Sequence, residues 1–176
     1  LDASRIEAQR PATLPQVGVD RRAVTSPADA HPDIRFITPN EEFFRIDTAL
    51  SFPRVDLGRW ELRIHGLVEE EIRLSYQDLL DLPQTERTIT LCCVSNEVGG
   101  PYIGNAVWQG VLLADILRSA RMSPEAEQVF STSLDGWTCG FPVENALDGR
   151  DALIAIGMNG EPLPLRHGFP ARLVVP

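Results

Sequence analysis

No run of apolar residues in this sequence approaches the roughly 20 that a membrane-crossing helix needs, and no signal-peptide apolar stretch is present. Basic residues are scarce: 16 Lys+Arg stand against 25 Asp+Glu, a net charge of −9. A surface that tracks nucleic-acid phosphates needs clustered positive charge, so DNA and RNA are excluded as partners. A few convergent Arg and His side chains can still make a local anion pocket inside an acidic protein. Cysteine is equally thin, with three in 176 residues. Cys92, Cys93 and Cys139 cannot all pair within one chain, and adjacent Cys92 and Cys93 bridge only through a strained ring, so no disulfide scaffold is expected. Gly99, Gly100 and Gly104 lack the Gly-x-Gly-x-x-Gly or Walker spacing that cradles phosphates, which removes a nucleotide motif. No internal repeat is apparent.

What is there suits one domain, since 43% hydrophobic residues supply one sizeable core. Residues 1–34 carry Pro11, Pro15, Pro27 and Pro32 and, after a short amphipathic helix within residues 1–10, read as a linker or an arm wrapped over the domain. Residues 35–176 form the domain. The chain opens on Leu1 rather than Met and stops at Pro176 after an apolar run, so it is expected to be a piece of a longer protein, incomplete at its C-terminus. Trp60, Leu62 and Ile64 alternate with Glu61, Arg63 and His65 in the period of a half-buried strand, and a second strand follows at 71–74. Ser75 with Asp78 predicts an N-cap and a short helix ending before Pro83. Residues 88–94, 129–134, 152–157 and 173–175 predict strands, residues 112–120 a helix, and Asn159-Gly160 a tight hairpin turn. Short helices scattered among strands give an α+β fold with mixed sheets.

Cys93 carries the most chemistry. It stands at the end of an apolar strand and is followed by Ser95, Asn96, Gly99 and Gly100, where a thiolate can be offered to a soft metal or to a substrate. The plain alternative is a small buried hydrophobe, and residue context leaves both open. Cys92 points to the other face, so one of the pair is presented. A zinc site from the three cysteines and His31, His65 or His167 has the donors but not the spacing of a structural knuckle. A thiol enzyme pairing Cys93 with His167 is a third reading. His167 and Arg172 bracket the Gly168-Phe169-Pro170 bend, Arg45 sits among aromatic and apolar neighbours, and residues 135–140 read as a hairpin tip bearing Trp137 and Thr138. Alone, each of these has an ordinary structural explanation.

Five segments occur in a telling order: Thr38-Pro39-Asn40 with Phe43-Phe44-Arg45; residues 60–68; residues 90–96 with 104–111; Asp135-Gly136-Trp137-Thr138; and residues 158–164 running into His167-Gly168-Phe169-Pro170-Ala171-Arg172. Together they resemble the molybdopterin-binding domain of the sulfite oxidase family across residues 35–176. The resemblance implies that fold and a molybdenum-molybdopterin cofactor. It matches Cys93 to the family cysteine whose sulfur binds molybdenum, making it the metal ligand and the catalytic residue. Asn96 is the Asn that follows it by three positions. His167 and Arg172 match the residues that contact the anionic pterin phosphate, and Arg45, Asp47 and Thr48 fall in the segment lining the cofactor, with Trp137 and Thr138 also counted among the cofactor-binding residues. The implied activity is oxygen-atom or electron transfer on a small oxidisable or reducible substrate. Where sulfite oxidases place basic residues after this Asn, the chain has Glu97 and Val98, so sulfite is not the expected substrate. The pattern looks more like a bacterial branch in which the domain follows membrane helices, which implies a tether N-terminal to residue 1. A redox partner, a haem protein or a quinone-linked one, would exchange electrons. Two alternatives stand beside this: a non-catalytic cofactor-binding or assembly module of the same fold, and the metal-free Cys93–His167 thiol enzyme.

Overall fold

In the computed structural model, residues 3–17, 35–47, 49 and 51–176 are described; Thr48, His31 and most of the Pro-rich lead lie outside them. In chain order the elements are α1 (Ala3–Glu7), β1 (Glu61–Ile64), β2 (Ile72–Ser75), α2 (Tyr76–Asp81), β3 (Thr85–Cys92), β4 (Ile103–Leu112), α3 (Leu113–Ser119), β5 (Gln128–Thr132), β6 (Thr138–Pro142), α4 (Glu144–Leu147), β7 (Leu153–Met158), β8 (Glu161–Pro162) and β9 (Arg172–Val174), with a 3-10 turn at Leu165–His167. This is the expected α+β architecture: one five-stranded antiparallel sheet, ordered β3-β4-β7-β8 with β9 also on β7, and two separate hairpins, β1-β2 and β5-β6.

The large sheet positions everything that follows. β3 and β4 pair from Thr85 with Gly110 to Cys92 with Ile103, so residues 93–102 are the loop of one long hairpin. Strand β4 is absent from the sequence reading. Its alternation is present, with Gly104, Ala106 and Trp108 buried and Ile103, Asn105 and Val107 less so, but glycines stand where apolar residues would announce it. Each glycine has a cause elsewhere in the fold. A Cβ on Gly104 would come within 2.6 Å of the Phe43 ring, and one on Gly110 within 2.1 Å of the Ile154 carbonyl on β7. The ladder between β4 and β7 shifts register at Gln109 and Gly110, where the strands press closest.

β7 is buried on both faces, and the Asn159-Gly160 turn after it is the expected tight hairpin, with positive φ at both residues (53° and 81°). β9 lies on its other side and sets Arg172 opposite Ala155. The capping box at Ser75 also forms: the Ser75 hydroxyl accepts from the Asp78 amide at 3.1 Å, and the Asp78 carboxylate accepts from the Ser75 amide at 2.7 Å.

Residues 3–17 lie against this framework. Ile6 is buried in the main core with Val55, Tyr76 and Leu79. The Gln9 side-chain amide imitates a strand partner, donating to the Val55 carbonyl (3.1 Å) and accepting from the Leu57 amide (2.9 Å). Arg10 donates to the Pro162 carbonyl (2.5 Å), and the buried Gln109 amide donates to the Pro15 carbonyl (2.7 Å). Among the described residues no helix is long and apolar enough to cross a membrane.

Candidate functional site

The hairpin loop after β3 is a braced ring. Strand β3 ends at Cys92, two residues sooner than the sequence predicts: the Cys93 amide still reaches across in register to the Tyr102 carbonyl (2.9 Å), but the Cys93 carbonyl already accepts from the Asn96 amide (2.9 Å) and turns the chain. The Asn96 side-chain oxygen accepts from the Tyr102 amide at 2.7 Å, which ties the two legs together. A Gly100→Glu97 amide-to-carbonyl bond of 2.8 Å and the positive φ of Gly99 (77°) turn the chain back. The ring presents Cys93, half-buried, with its Sγ 3.1 Å from the Ser95 hydroxyl. That side-chain bond, aided by the Ser95 amide, holds the Cys93 thiol below its ordinary pKa, against a weaker opposing effect of burial. Cys92 is exposed, and among the described residues its thiol reaches only the Cys93 carbonyl (3.6 Å). Val94, Glu97 and Val98 stand out in solvent around it.

The second part of the site is built inward. After the 3-10 turn, Gly168 takes φ 110°, which lets the chain double back into β9. His167 is 3% exposed. Its Nε2 lies 2.7 Å from the Asn40 carbonyl, which can only accept, so Nε2 carries the proton and donates. Burial pushes the His167 pKa down; the bond to Asn40 opposes this, while Arg166, Arg172 and Arg45 add to the lowering. Arg172 spreads its guanidinium over the Trp108 ring, 5.3 Å from the centroid, and donates to the His167 carbonyl at 3.4 Å. Burial lowers its pKa as well, but an arginine starts so high that it stays charged.

Phe43 and Phe44 join the two parts. The Phe43 ring stacks on Phe44 (5.2 Å between centroids) and meets Trp108 and His167 edge to face at 5.8 and 5.7 Å. Phe44 in turn leans on Tyr102 (6.5 Å), the residue that closes the Cys93 loop. Arg45 follows directly, packed 4.4 Å from the Phe52 ring and ion-paired with Asp47.

Of the predicted residues, the structure brings His167 and Arg172 onto one aromatic cluster, sets Arg45 next along the chain from Phe44 with its ion-pair partner Asp47, and places Cys93 with Asn96 on the adjoining loop. Trp137 and Thr138 belong to a different sheet, where Trp137 sits at the exposed tip of β5-β6 and hydrogen-bonds within that hairpin. Thr48 lies outside the described residues. The Cys93–His167 pair of the thiol-enzyme reading does not form, since Cys93 bonds Ser95 and His167 bonds Asn40. Among the described residues no group of three or more His, Cys, Asp and Glu could hold a metal, so the zinc arrangement does not form either. Sequence reasoning missed the part played by Asn40, Ser95, Tyr102 and Trp108. A cleft of about 270 Å³ beside Asn40, lined by Ile37, Pro39, Glu41, Asn159 and Glu161, carries two carboxylates and no cation, which makes it a poor seat for an anion.

Residues 49–176 match the family described as the oxidoreductase molybdopterin binding domain. The chain is 37% identical over 121 residues to an uncharacterized oxidoreductase, YuiH, of Bacillus subtilis, covering 69% of this chain and 59% of that protein. It is 32% identical over 177 residues to the mitochondrial sulfite oxidase of Drosophila melanogaster, covering 85% of this chain and 30% of the relative. Among solved structures, the sulfane dehydrogenase SoxCD from Paracoccus pantotrophus superposes with a TM-score of 0.72 at 28% identity, over 98% of this chain and 48% of that one. The chain thus spans about three fifths of the length of YuiH and less than half of the other two.

Proposed function

This chain belongs to the oxidoreductase molybdopterin-binding domain family, with the fold of sulfite oxidase relatives, and we propose that it holds a molybdopterin cofactor in which Cys93 supplies sulfur to the molybdenum. The observation that carries this is the braced loop itself. Cys93 is the half-buried thiol, lowered in pKa and fixed by backbone bonds at both its amide and its carbonyl. A soft metal binds the thiolate, so a thiol whose pKa is lowered and whose position is fixed is the easier one to ligate. The exposed Cys92 is not held in this way.

The donor set fits the group. Arg172 is a desolvated guanidinium with, among the described residues, one hydrogen bond, to the His167 carbonyl, which leaves donors for an anionic pterin phosphate. His167, neutral and with its Nε2–H committed to Asn40, has only an acceptor nitrogen left, which suits an N–H of the pterin rather than its phosphate. Arg45, packed on Phe52 and near enough to His167 to lower its pKa, adds a second cation, and Asn96 serves the site by holding the loop closed. The bound cofactor supplies the oxygen-atom or electron transfer; the chain's residues bind and orient it and keep the sulfur reachable.

The substrate is a small oxidisable or reducible molecule other than sulfite, because the exposed residues that follow the thiol on its loop are Glu97 and the apolar Val94 and Val98, none of which attracts an oxyanion. Electrons pass to or from a separate haem or quinone-linked partner, and the parent protein is bacterial and tethered to a membrane ahead of residue 1, with residues 35–176 as its cofactor domain. Molybdenum analysis of the full-length protein, made in a host that synthesises molybdopterin, tests the reading. About one molybdenum per chain is expected in the wild type, with loss of turnover and of sulfur-bound metal in Cys93→Ser; a metal-free wild type, or a Cys93→Ser variant that keeps full turnover, sinks it.

A further inference from the structure

We propose that the Ser95 hydroxyl is a positioning group for the metal-binding sulfur, donating a hydrogen bond to Cys93 Sγ and thereby setting how strongly that sulfur gives electron density to the molybdenum. This rests on the reading of Cys93 as the ligand. The two atoms are 3.1 Å apart. A sulfur bound to metal carries no proton and can only accept, so the hydroxyl must be the donor.

The contact does not depend on the metal for its geometry. Ser95 stands between two residues anchored by the backbone: Cys93, whose amide bonds Tyr102 and whose carbonyl accepts from Asn96, and Asn96, whose side chain accepts from Tyr102. The hydroxyl therefore lies within reach of the sulfur before any cofactor arrives. A donor aimed at a ligating thiolate withdraws charge from it. The metal becomes less electron-rich, its reduced state is favoured and its reduction potential rises, which is how hydrogen bonds around cysteine sulfurs tune other metal centres.

The experiment uses full-length protein from a molybdopterin-producing host as wild type, Ser95→Ala and Ser95→Thr, with molybdenum content, the sulfur-to-molybdenum absorption band and the midpoint potential read for each. Ser95 is exposed on the loop, so its truncation leaves the fold intact. Ser95→Ala is expected to keep its molybdenum while its band shifts to lower energy and its potential falls, and Ser95→Thr, which keeps the hydroxyl, is expected to restore both. Full metal with band and potential unmoved in Ser95→Ala overturns this inference and leaves the cofactor reading standing. Equal shifts in both variants also overturn it, because they trace the change to the loop rather than to the hydroxyl. A wild type without molybdenum removes the reading on which it rests, and this inference with it.

Discussion

The two regions on either side of Phe44 are built on opposite terms. The His167–Arg172 bend sinks a histidine and a guanidinium among Phe43, Trp108 and the strands of the large sheet, and satisfies them sparingly. The Cys93 loop does the reverse: every brace is a backbone or amide bond, the thiol is half-open, and its neighbours Val94 and Val98 make no core. Removing charges from water strengthens their pull on a ligand and raises the cost of leaving them unpaired. One region is therefore suited to gripping an anion for good, and the other to offering an atom that must still be reached. The bend belongs to the folding core, while the loop is carried by it.

The largest test of that contrast is Trp108→Ala. Trp108 is 0% exposed and floors Arg172 while bracing Phe43. Its truncation is expected to cost about 3–5 kcal/mol of stability by chemical denaturation. Cys93→Ser, on the exposed loop, is expected to move stability by no more than about 0.5 kcal/mol. Equal losses would erase the distinction between a carried loop and a carrying core. Next in size is Arg172→Met, similar in length and without charge. A charge-assisted hydrogen bond contributes roughly 1.5–3 kcal/mol, so cofactor retention through gel filtration should weaken about 10- to 100-fold. Stability should hold or rise slightly, because a desolvated cation has been removed from the bend.

A smaller effect comes from acid. The unfolded His167 imidazole takes its proton near 6.5, whereas the folded one, buried, takes it only at lower pH. Between those two values the unfolded chain binds more protons, so stability rises with pH across that window and falls as the pH drops through it. The slope from this one group is bounded at about 1.4 kcal/mol per pH unit. Denaturation midpoints from pH 7.5 down to 5 should show it in the wild type and show less of it in His167→Gln; the slope should be unchanged in Cys93→Ser, whose altered residue lies on the loop.

How far the sequence reveals this site follows the same division. The Ser75 capping box was legible because both halves lie within three residues, and so were Asn159-Gly160 and the family pattern around Cys93. Strand β4 was not, because Gly104 and Gly110 are small on account of Phe43 and β7, both far away in sequence. Asn40 escaped notice because it acts on His167 through its backbone carbonyl, an atom every residue has. Ser95 and Tyr102 escaped because a serine and a tyrosine in a Gly-rich loop read as turn chemistry until the loop closes on the sulfur. The fold class and the family were readable; the contacts that hold the candidate residues in place depend on distant neighbours.

The smallest test asks whether burial or partnership is what makes the bend's polar groups tolerable. Tyr76 supplies the comparison. It is as deeply buried as His167, packed against Trp60 and Phe169, yet its hydroxyl finds no hydrogen-bond partner among the described residues. Burial accordingly pushes its pKa up to about 12, with Arg10 pulling weakly the other way. His167 has the Asn40 carbonyl, so deleting its N–H should leave a buried acceptor short of a donor and cost stability. Deleting the Tyr76 hydroxyl leaves nothing stranded. Tyr76→Phe is therefore expected to be neutral or to gain up to about 1 kcal/mol by denaturant midpoint. A loss of 1 kcal/mol or more in Tyr76→Phe would mean that its hydroxyl is satisfied after all, and that the two buried groups differ less than their contacts suggest.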